Sequence, residues 1–132
     1  MTTQKPRVLV VEDSPESYAA LARLLRHVGY EAVGAATLAQ AQELLHTMPR
    51  YLILDLMLPD GNGKDLLAQI RREKLGIKVA VLTAVDDKPA LREVAALEPD
   101  ALSCKPVDVP QLLAWLREGG RRISPILAES QA

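Results

Sequence analysis

The sequence contains no phenylalanine, and its aromatic residues are three tyrosines, Tyr18, Tyr30 and Tyr51, and one tryptophan, Trp115. A core made without phenylalanine must be built almost wholly from Leu, Val, Ile and Ala. The single cysteine, Cys104, excludes an internal disulfide and any multi-cysteine zinc site, and it reads as a small buried hydrophobe. Net charge of either sign is lacking too: 16 basic and 17 acidic residues leave −1. That excludes a broad cationic field for nucleic acid or for an anionic membrane. The longest apolar stretches are broken by Asp55 and Thr83, far short of a membrane span. Met1 to Arg7 has no apolar segment of the secretory type, so a cytoplasmic setting is expected, with no membrane partner.

What is present is a chain of 132 residues, 48% hydrophobic and 25% charged, the profile of one globular domain and not of a disordered segment. Arg7-Val8-Leu9-Val10-Val11 is a β-branched run that reads as a strand buried on both faces. Ser14-Pro15-Glu16 supplies an N-cap, a proline at the first helical position and an acidic first turn. Leucines at helical spacing follow as far as Val28, and Gly29 stops the helix.

The same alternation repeats four times. Glu31 to Ala35 is a short strand, and Thr37 caps a helix that ends before Pro49. Tyr51-Leu52-Ile53-Leu54 is a third strand, followed by a turn cluster over Pro59-Asp60-Gly61-Asn62-Gly63. A helix then carries Leu66, Leu67, Ile70 and Leu75 and closes at Gly76. Ile77 to Leu82 is the fourth strand and Lys88 to Leu97 the fourth helix. Ala101 to Cys104 is the fifth strand, and a helix after Asp108 ends at Gly119-Gly120. Five strands alternating with five helices across short loops predict an α/β fold, a parallel sheet covered by helices on both faces.

In such sheets, ligands bind outside the carboxyl ends of the strands. Glu12 and Asp13 follow the first strand, Asp55 the third, Thr83 ends the fourth and Lys105 follows the fifth. Three carboxylates, a hydroxyl and an ammonium therefore converge on one edge. Two carboxylates about 4 Å apart repel by about 4 kcal/mol at an effective dielectric near 20. A hard divalent cation such as Mg²⁺ removes that cost and still offers a position to a phosphoryl oxygen. Asp55 lies between the apolar runs Tyr51–Leu54 and Leu56–Leu58, and a charge so placed is rarely decorative. The inferred chemistry is phosphoryl transfer to the Asp55 carboxylate, with Thr83 and Lys105 holding phosphoryl oxygens.

Leu9-Val10-Val11-Glu12-Asp13-Ser14, Leu54-Asp55-Leu56-Met57-Leu58-Pro59, Val81-Leu82-Thr83-Ala84 and Cys104-Lys105-Pro106 together resemble the receiver domains of two-component response regulators. The resemblance covers about residues 7 to 120, leaving 1–6 and 121–132 as short, partly ordered tails. It implies a flavodoxin-like (βα)₅ three-layer sandwich with strand order 2-1-3-4-5. It also implies that Asp55 is the phospho-acceptor and that Glu12, Asp13, Asp55 and the Met57 backbone carbonyl bind Mg²⁺, for which Mn²⁺ could substitute. Thr83, Ala84 and Lys105 become the phosphoryl-binding and switch residues, and the Lys105–Pro106 peptide is cis. A histidine kinase or phosphotransfer protein is the implied donor. A downstream protein would read the face of the fourth helix, fifth strand and fifth helix, about Lys88 to Gly120. The protein would be a monomer or weak homodimer, and no enzyme beyond gain and loss of its own phosphoryl group.

Three places depart from the family pattern. Leu102 stands where a rotating aromatic ring is usual, and Val107 where an aromatic often follows Lys-Pro. Glu98-Pro99 also replaces the usual Gly-Ala before the fifth strand. Rival readings fit less well. A haloacid dehalogenase-type phosphatase needs a second aspartate where Met57 stands, and a P-loop needs a glycine at Leu58 and a hydroxyl at Asp65. A receiver-like module signalling without phosphorylation remains as the alternative. Arg71-Arg72 and Arg121-Arg122 read as solvated helix ends and not a nucleic-acid surface, so no direct nucleic-acid partner is expected. His27 and His46 read as surface residues near helix ends.

Overall fold

The computed structural model describes residues 4–84 and 86–122. Residues 1–3 and 123–132 of the expected tails lie outside them. Five parallel strands form one sheet: β1 (Arg7–Val11), β2 (Glu31–Ala35), β3 (Tyr51–Leu54), β6 (Lys78–Thr83) and β7 (Ala101–Cys104). Their spatial order is β2-β1-β3-β6-β7. Counted among the sheet strands alone, that is the expected order 2-1-3-4-5 of a flavodoxin-like sandwich. Five helices follow the strands: α1 (Pro15–His27), α2 (Leu38–Leu45), α3 (Lys64–Glu73), α4 (Lys88–Ala96) and α5 (Val109–Arg117). Two two-residue strands, β4 (Met57–Leu58) and β5 (Gly61–Asn62), pair as an antiparallel hairpin, β4 just before the expected turn cluster and β5 inside it.

The period-two alternation of side chains splits the core into two layers. Leu9, Val11, Leu52, Leu54, Val79 and Val81 pack with leucines of α2 and α3 and with Val94 of α4. Val8, Val10, Ile53, Ala80 and Leu82 face the opposite way, toward α1 and α5. All four aromatic residues belong to this second layer. Three of them form an edge-to-face chain, Tyr30 to Tyr51 at 6.2 Å and Tyr51 to Trp115 at 5.9 Å between ring centroids. The chain lies at the amino-terminal end of the strands, because Tyr51 opens β3. Tyr18, the fourth, packs instead on Gly34 near the carboxyl end of the edge strand β2, and aliphatic side chains line the rest of that end.

Local chemistry places the helices. The Ser14 hydroxyl accepts from Ser17 N at 3.3 Å, Thr37 from Gln40 N at 3.1 Å and the Asp108 carboxylate from Gln111 N at 3.1 Å. Gly34 in β2 is required by α1, since a Cβ there would lie 2.4 Å from the Tyr18 ring. Helix α3 stops two residues before the expected Leu75. Lys74 turns left-handed at φ 52°, and the Leu75 N–H reaches back to the Ile70 carbonyl at 3.2 Å, closing a Schellman-type end.

Two side-chain expectations are corrected. Cys104 is exposed, because it ends the edge strand β7 where the chain leaves the sheet. Arg71 is not a solvated helix end: its guanidinium donates to the Asp100 carboxylate at 2.9 Å and to the Glu98 carbonyl at 2.8 Å. Glu98 takes φ 58°, the left-handed conformation that a glycine would adopt without strain. Among the described residues, no helix is long and apolar enough to cross a membrane.

Candidate functional site

The centre of the sheet's carboxyl edge is built by backbone pairing before any side chain contributes. Val11 pairs with Leu54, and Leu54 with Val81, so the residues that follow these strands emerge side by side. The Asp55 N–H donates to the Val11 carbonyl at 3.0 Å, which carries β3 one residue past its end and fixes Asp55 beside Glu12. Gly63 then closes on this corner. Its N–H donates to the Leu56 carbonyl at 2.8 Å, and a Cβ at Gly63 would come within 2.5 Å of the Asp55 carbonyl oxygen.

Asp55 is 8% exposed, while Glu12 is half-buried and Asp13 is exposed. Carboxylate oxygens of the three lie within 4.8 Å of one another. The Lys105 ammonium spans two of them, at 2.6 Å from Glu12 Oε1 and 3.1 Å from Asp55 Oδ2. The other Asp55 oxygen accepts from the Met57 N–H at 3.2 Å. Lys105 is itself held by its N–H, which donates to the Thr83 carbonyl at 2.8 Å, and its bond to Pro106 is cis. Thr83 is fully buried at the end of β6, and Ala84 beyond it is exposed.

Glu12 and Asp55 share one ammonium, and their titration behaviour follows. Burial raises the Asp55 carboxyl above its ordinary value, outweighing the hydrogen bonds from Lys105 and the Met57 N–H, and the Glu12 charge adds to the rise. Burial acts in the same direction on Glu12, but there the hydrogen bonds from Lys105 and the Ser14 N–H prevail and the carboxyl falls. Lys105 loses solvation yet is raised, because Glu12 and Asp55 both favour its charged form.

The structure thus brings together Glu12, Asp13, Asp55 and Lys105. Leu102 lies elsewhere, buried in the layer beneath α3 and α4 in the same cluster as Val94. Sequence reasoning missed Asp60, whose carboxylate accepts from the Leu38 N–H at 2.8 Å and the Ala39 N–H at 3.1 Å, pinning the hairpin to the start of α2. It also missed Asp100. Only the break before a strand marked that residue in the sequence, and its partner Arg71 lies 29 residues away.

Comparison with known proteins places this geometry. A family model described as the response regulator receiver domain matches residues 8–117. RegA, a photosynthetic apparatus regulatory protein of Rhodovulum sulfidophilum, is 31% identical over 126 residues, covering 92% of this chain and 67% of that protein. The DNA-binding response regulator MtrA of Mycolicibacterium smegmatis is 34% identical over 128 residues, covering 92% of this chain. The match spans only 54% of MtrA, so the expectation that no nucleic acid is involved finds no support. A response regulator receiver protein from Pseudomonas putida, solved by crystallography, superposes with a TM-score of 0.82 at 30% identity, over 89% of this chain and 99% of that one. By fold, acidic cluster and family match, the chain belongs to the response regulator receiver domains.

Proposed function

We propose that this receiver takes a phosphoryl group on Asp55 from the phosphohistidine of a histidine kinase or phosphotransfer protein, in a Mg²⁺-dependent reaction. The observation that carries the reading is the placement of Asp55. It is a nearly buried carboxylate at the end of the central strand, with two more carboxylates and one ammonium in contact range. The donor set suits Mg²⁺, because it is all hard oxygen and carries more negative charge than Lys105 balances. Glu12, Asp13, Asp55 and the Met57 carbonyl would hold the ion. When bound, it supplies charge neutralisation among the carboxylates and on the phosphoryl oxygens.

The chain's own residues do the rest. An Asp55 carboxylate oxygen attacks phosphorus, and the bond from phosphorus to the donor nitrogen breaks. Lys105, held between Glu12 and Asp55, pairs with the added phosphoryl charge. Thr83 and the Ala84 backbone bind the remaining oxygens and carry the change into the chain beyond β6. With Leu102 aliphatic and packed in the core, no ring rotates, and the switch passes through shifts of backbone and α4. The surface of α4, β7 and α5 presents the result to a downstream protein. Catalysis is confined to the protein's own Asp55, which gains and hydrolytically loses one phosphoryl group.

Intact-protein mass spectrometry after incubation with Mg²⁺ and an active donor kinase tests the reading. The wild type gains the mass of one phosphoryl group, and Asp55→Asn gains none. A wild type that stays unmodified beside a kinase shown to be active would overturn it and favour an interaction module that signals without phosphorylation.

A further inference from the structure

A groove of about 570 Å³ runs from the acidic edge into the layer between the sheet and helices α1 and α5. Glu12, Asp55 and Lys105 lie at one end. Its walls are aliphatic, with Leu21 and Leu24 of α1 on one side, Val10, Ile53 and Leu82 of the sheet at the floor, and Val107 at the entrance to α5. Two observations explain why the groove is open. Of the aromatic side chains in this layer, Tyr30, Tyr51 and Trp115 stack at the other end of the strands, and Tyr18 turns away onto Gly34 of the edge strand β2. Val107, where the loop after β7 meets α5, is a short side chain.

The dimensions are those of a small-molecule pocket: concave, mainly apolar, with a few polar groups gathered at one end. Charge selects the occupant. Lys105 is already engaged by both Glu12 and Asp55, and with Asp13 the group carries three carboxylates against one ammonium. An anionic head would meet repulsion there, and a neutral one would leave the excess unbalanced. We propose that the groove binds a small amphipathic cation, an alkyl or arylalkyl ammonium, with its apolar body between α1 and Val107 and its charged head on the Glu12 and Asp55 carboxylates. Such a ligand occupies the same carboxylates as a divalent cation, so the two oppose each other by mass action, and the reciprocity is obligatory. The groove thereby gives a hydrophobic amine a direct means of holding the receiver unphosphorylated. That competition rests on the metal reading above. Binding of the amine itself does not, so the two readings fail separately.

The test is a titration of the full chain with n-hexylammonium, n-butylammonium, n-hexanol and hexanoate, followed by methyl shifts of Val10, Leu21, Leu24, Ile53 and Leu82. Hexylammonium is expected to saturate these shifts. Each methylene removed weakens binding about three- to four-fold, so butylammonium binds about ten-fold more weakly. Hexanol and hexanoate bind at least ten-fold more weakly than hexylammonium. Val107→Phe fills the groove and lowers hexylammonium affinity at least ten-fold while phosphorylation of Asp55 persists. Leu21→Phe does the same from the opposite wall if Val107→Phe disturbs the fold. Adding Mg²⁺ raises the apparent Kd for hexylammonium. Equal affinity for hexanol and hexylammonium, no dependence on chain length, or unchanged binding in both filled variants would overturn the site. Amine binding that ignores Mg²⁺ would keep the groove as a site but overturn the competition.

Discussion

The two ends of the sheet each carry a nearly buried carboxylate paired to a cation, and they are balanced in opposite ways. At the carboxyl end, Asp55 is 8% exposed and shares one lysine with Glu12 beside a third carboxylate, Asp13. At the amino end, Asp100 is 3% exposed and sits among donors, and the one carboxylate among the described residues that shares a cation with it, Glu98, is exposed and takes Arg122 at 3.5 Å. Arg71 approaches at 2.9 Å, the Val79 N–H donates at 2.8 Å, and Arg122 stands 3.9 Å away. Asp100 has its charge and acceptors met, and it ties α3, β6 and the start of β7 together. Among the described residues, the Asp55 cluster carries an excess of negative charge that its one lysine does not cancel. Burial of a carboxylate is therefore not what marks a site; incomplete compensation is.

The strongest test of that contrast is to remove each carboxylate in turn. Asp100→Ala leaves the Val79 N–H unpaired in the interior and leaves the half-buried Arg71 only the Glu98 carbonyl, and is expected to cost about 2–3 kcal/mol. Asp55→Ala relieves repulsion and is expected to change stability by no more than about 1 kcal/mol, with a gain as readily as a loss. Urea unfolding of the two variants against the wild type measures both. Equal losses would show the two ends to be structural alike.

The second test supplies what the carboxyl end lacks. A cation bound only by the folded state stabilises it by about 2.7 kcal/mol at a hundred times its Kd. Mg²⁺ is expected to raise the unfolding midpoint of the wild type and of Asp100→Ala equally. It should leave Asp55→Ala almost unmoved, and a chelator should reverse the gains. Lys105→Met sharpens this further. Without metal, Glu12 and Asp55 lose the ammonium they share, and the variant should lose about 1–2 kcal/mol. Mg²⁺ should restore much of that loss, as it cannot for Asp100→Ala.

How far this contrast was legible in the sequence follows from the range of each interaction. The strands, the helices and the caps at Ser14, Thr37 and Asp108 rest on neighbours within about four residues, so patterning exposes them. The carboxyl-end cluster was legible because the fold class dictates where strand ends meet, and each of its members directly follows or ends a strand. Asp100 gave no such signal. Arg71 read as one of a pair of surface arginines, and only tertiary packing brings it 29 residues forward onto a buried acid. Cys104 misled for a related reason: residue type favours burial, but the last position of an edge strand leaves it exposed. The groove between α1 and α5 left no signal in the sequence, because it depends on where the few rings of this layer pack, which composition does not specify.

The smallest effect concerns a third carboxylate, satisfied by backbone alone. Asp60 faces no side-chain cation in the contacts around the hairpin; it accepts from the Leu38 and Ala39 N–H groups at the positive end of α2. Those bonds hold its carboxyl below the ordinary value. The sign follows directly. A carboxyl depressed in the folded state contributes stability above the unfolded pKa, and that contribution disappears as pH falls through the folded value. Asp60→Asn should therefore lower the urea midpoint slightly at neutral pH, and the gap to the wild type should close as pH falls below about 4. A gap that persists in acid would mean that the amide fails as a hydrogen-bond acceptor, so that geometry and not charge holds the hairpin to α2. A gap that closes assigns the contact to charge, and places Asp60 between the two extremes: a carboxylate whose excess is cancelled by a helix end, beside one whose excess is left for a ligand.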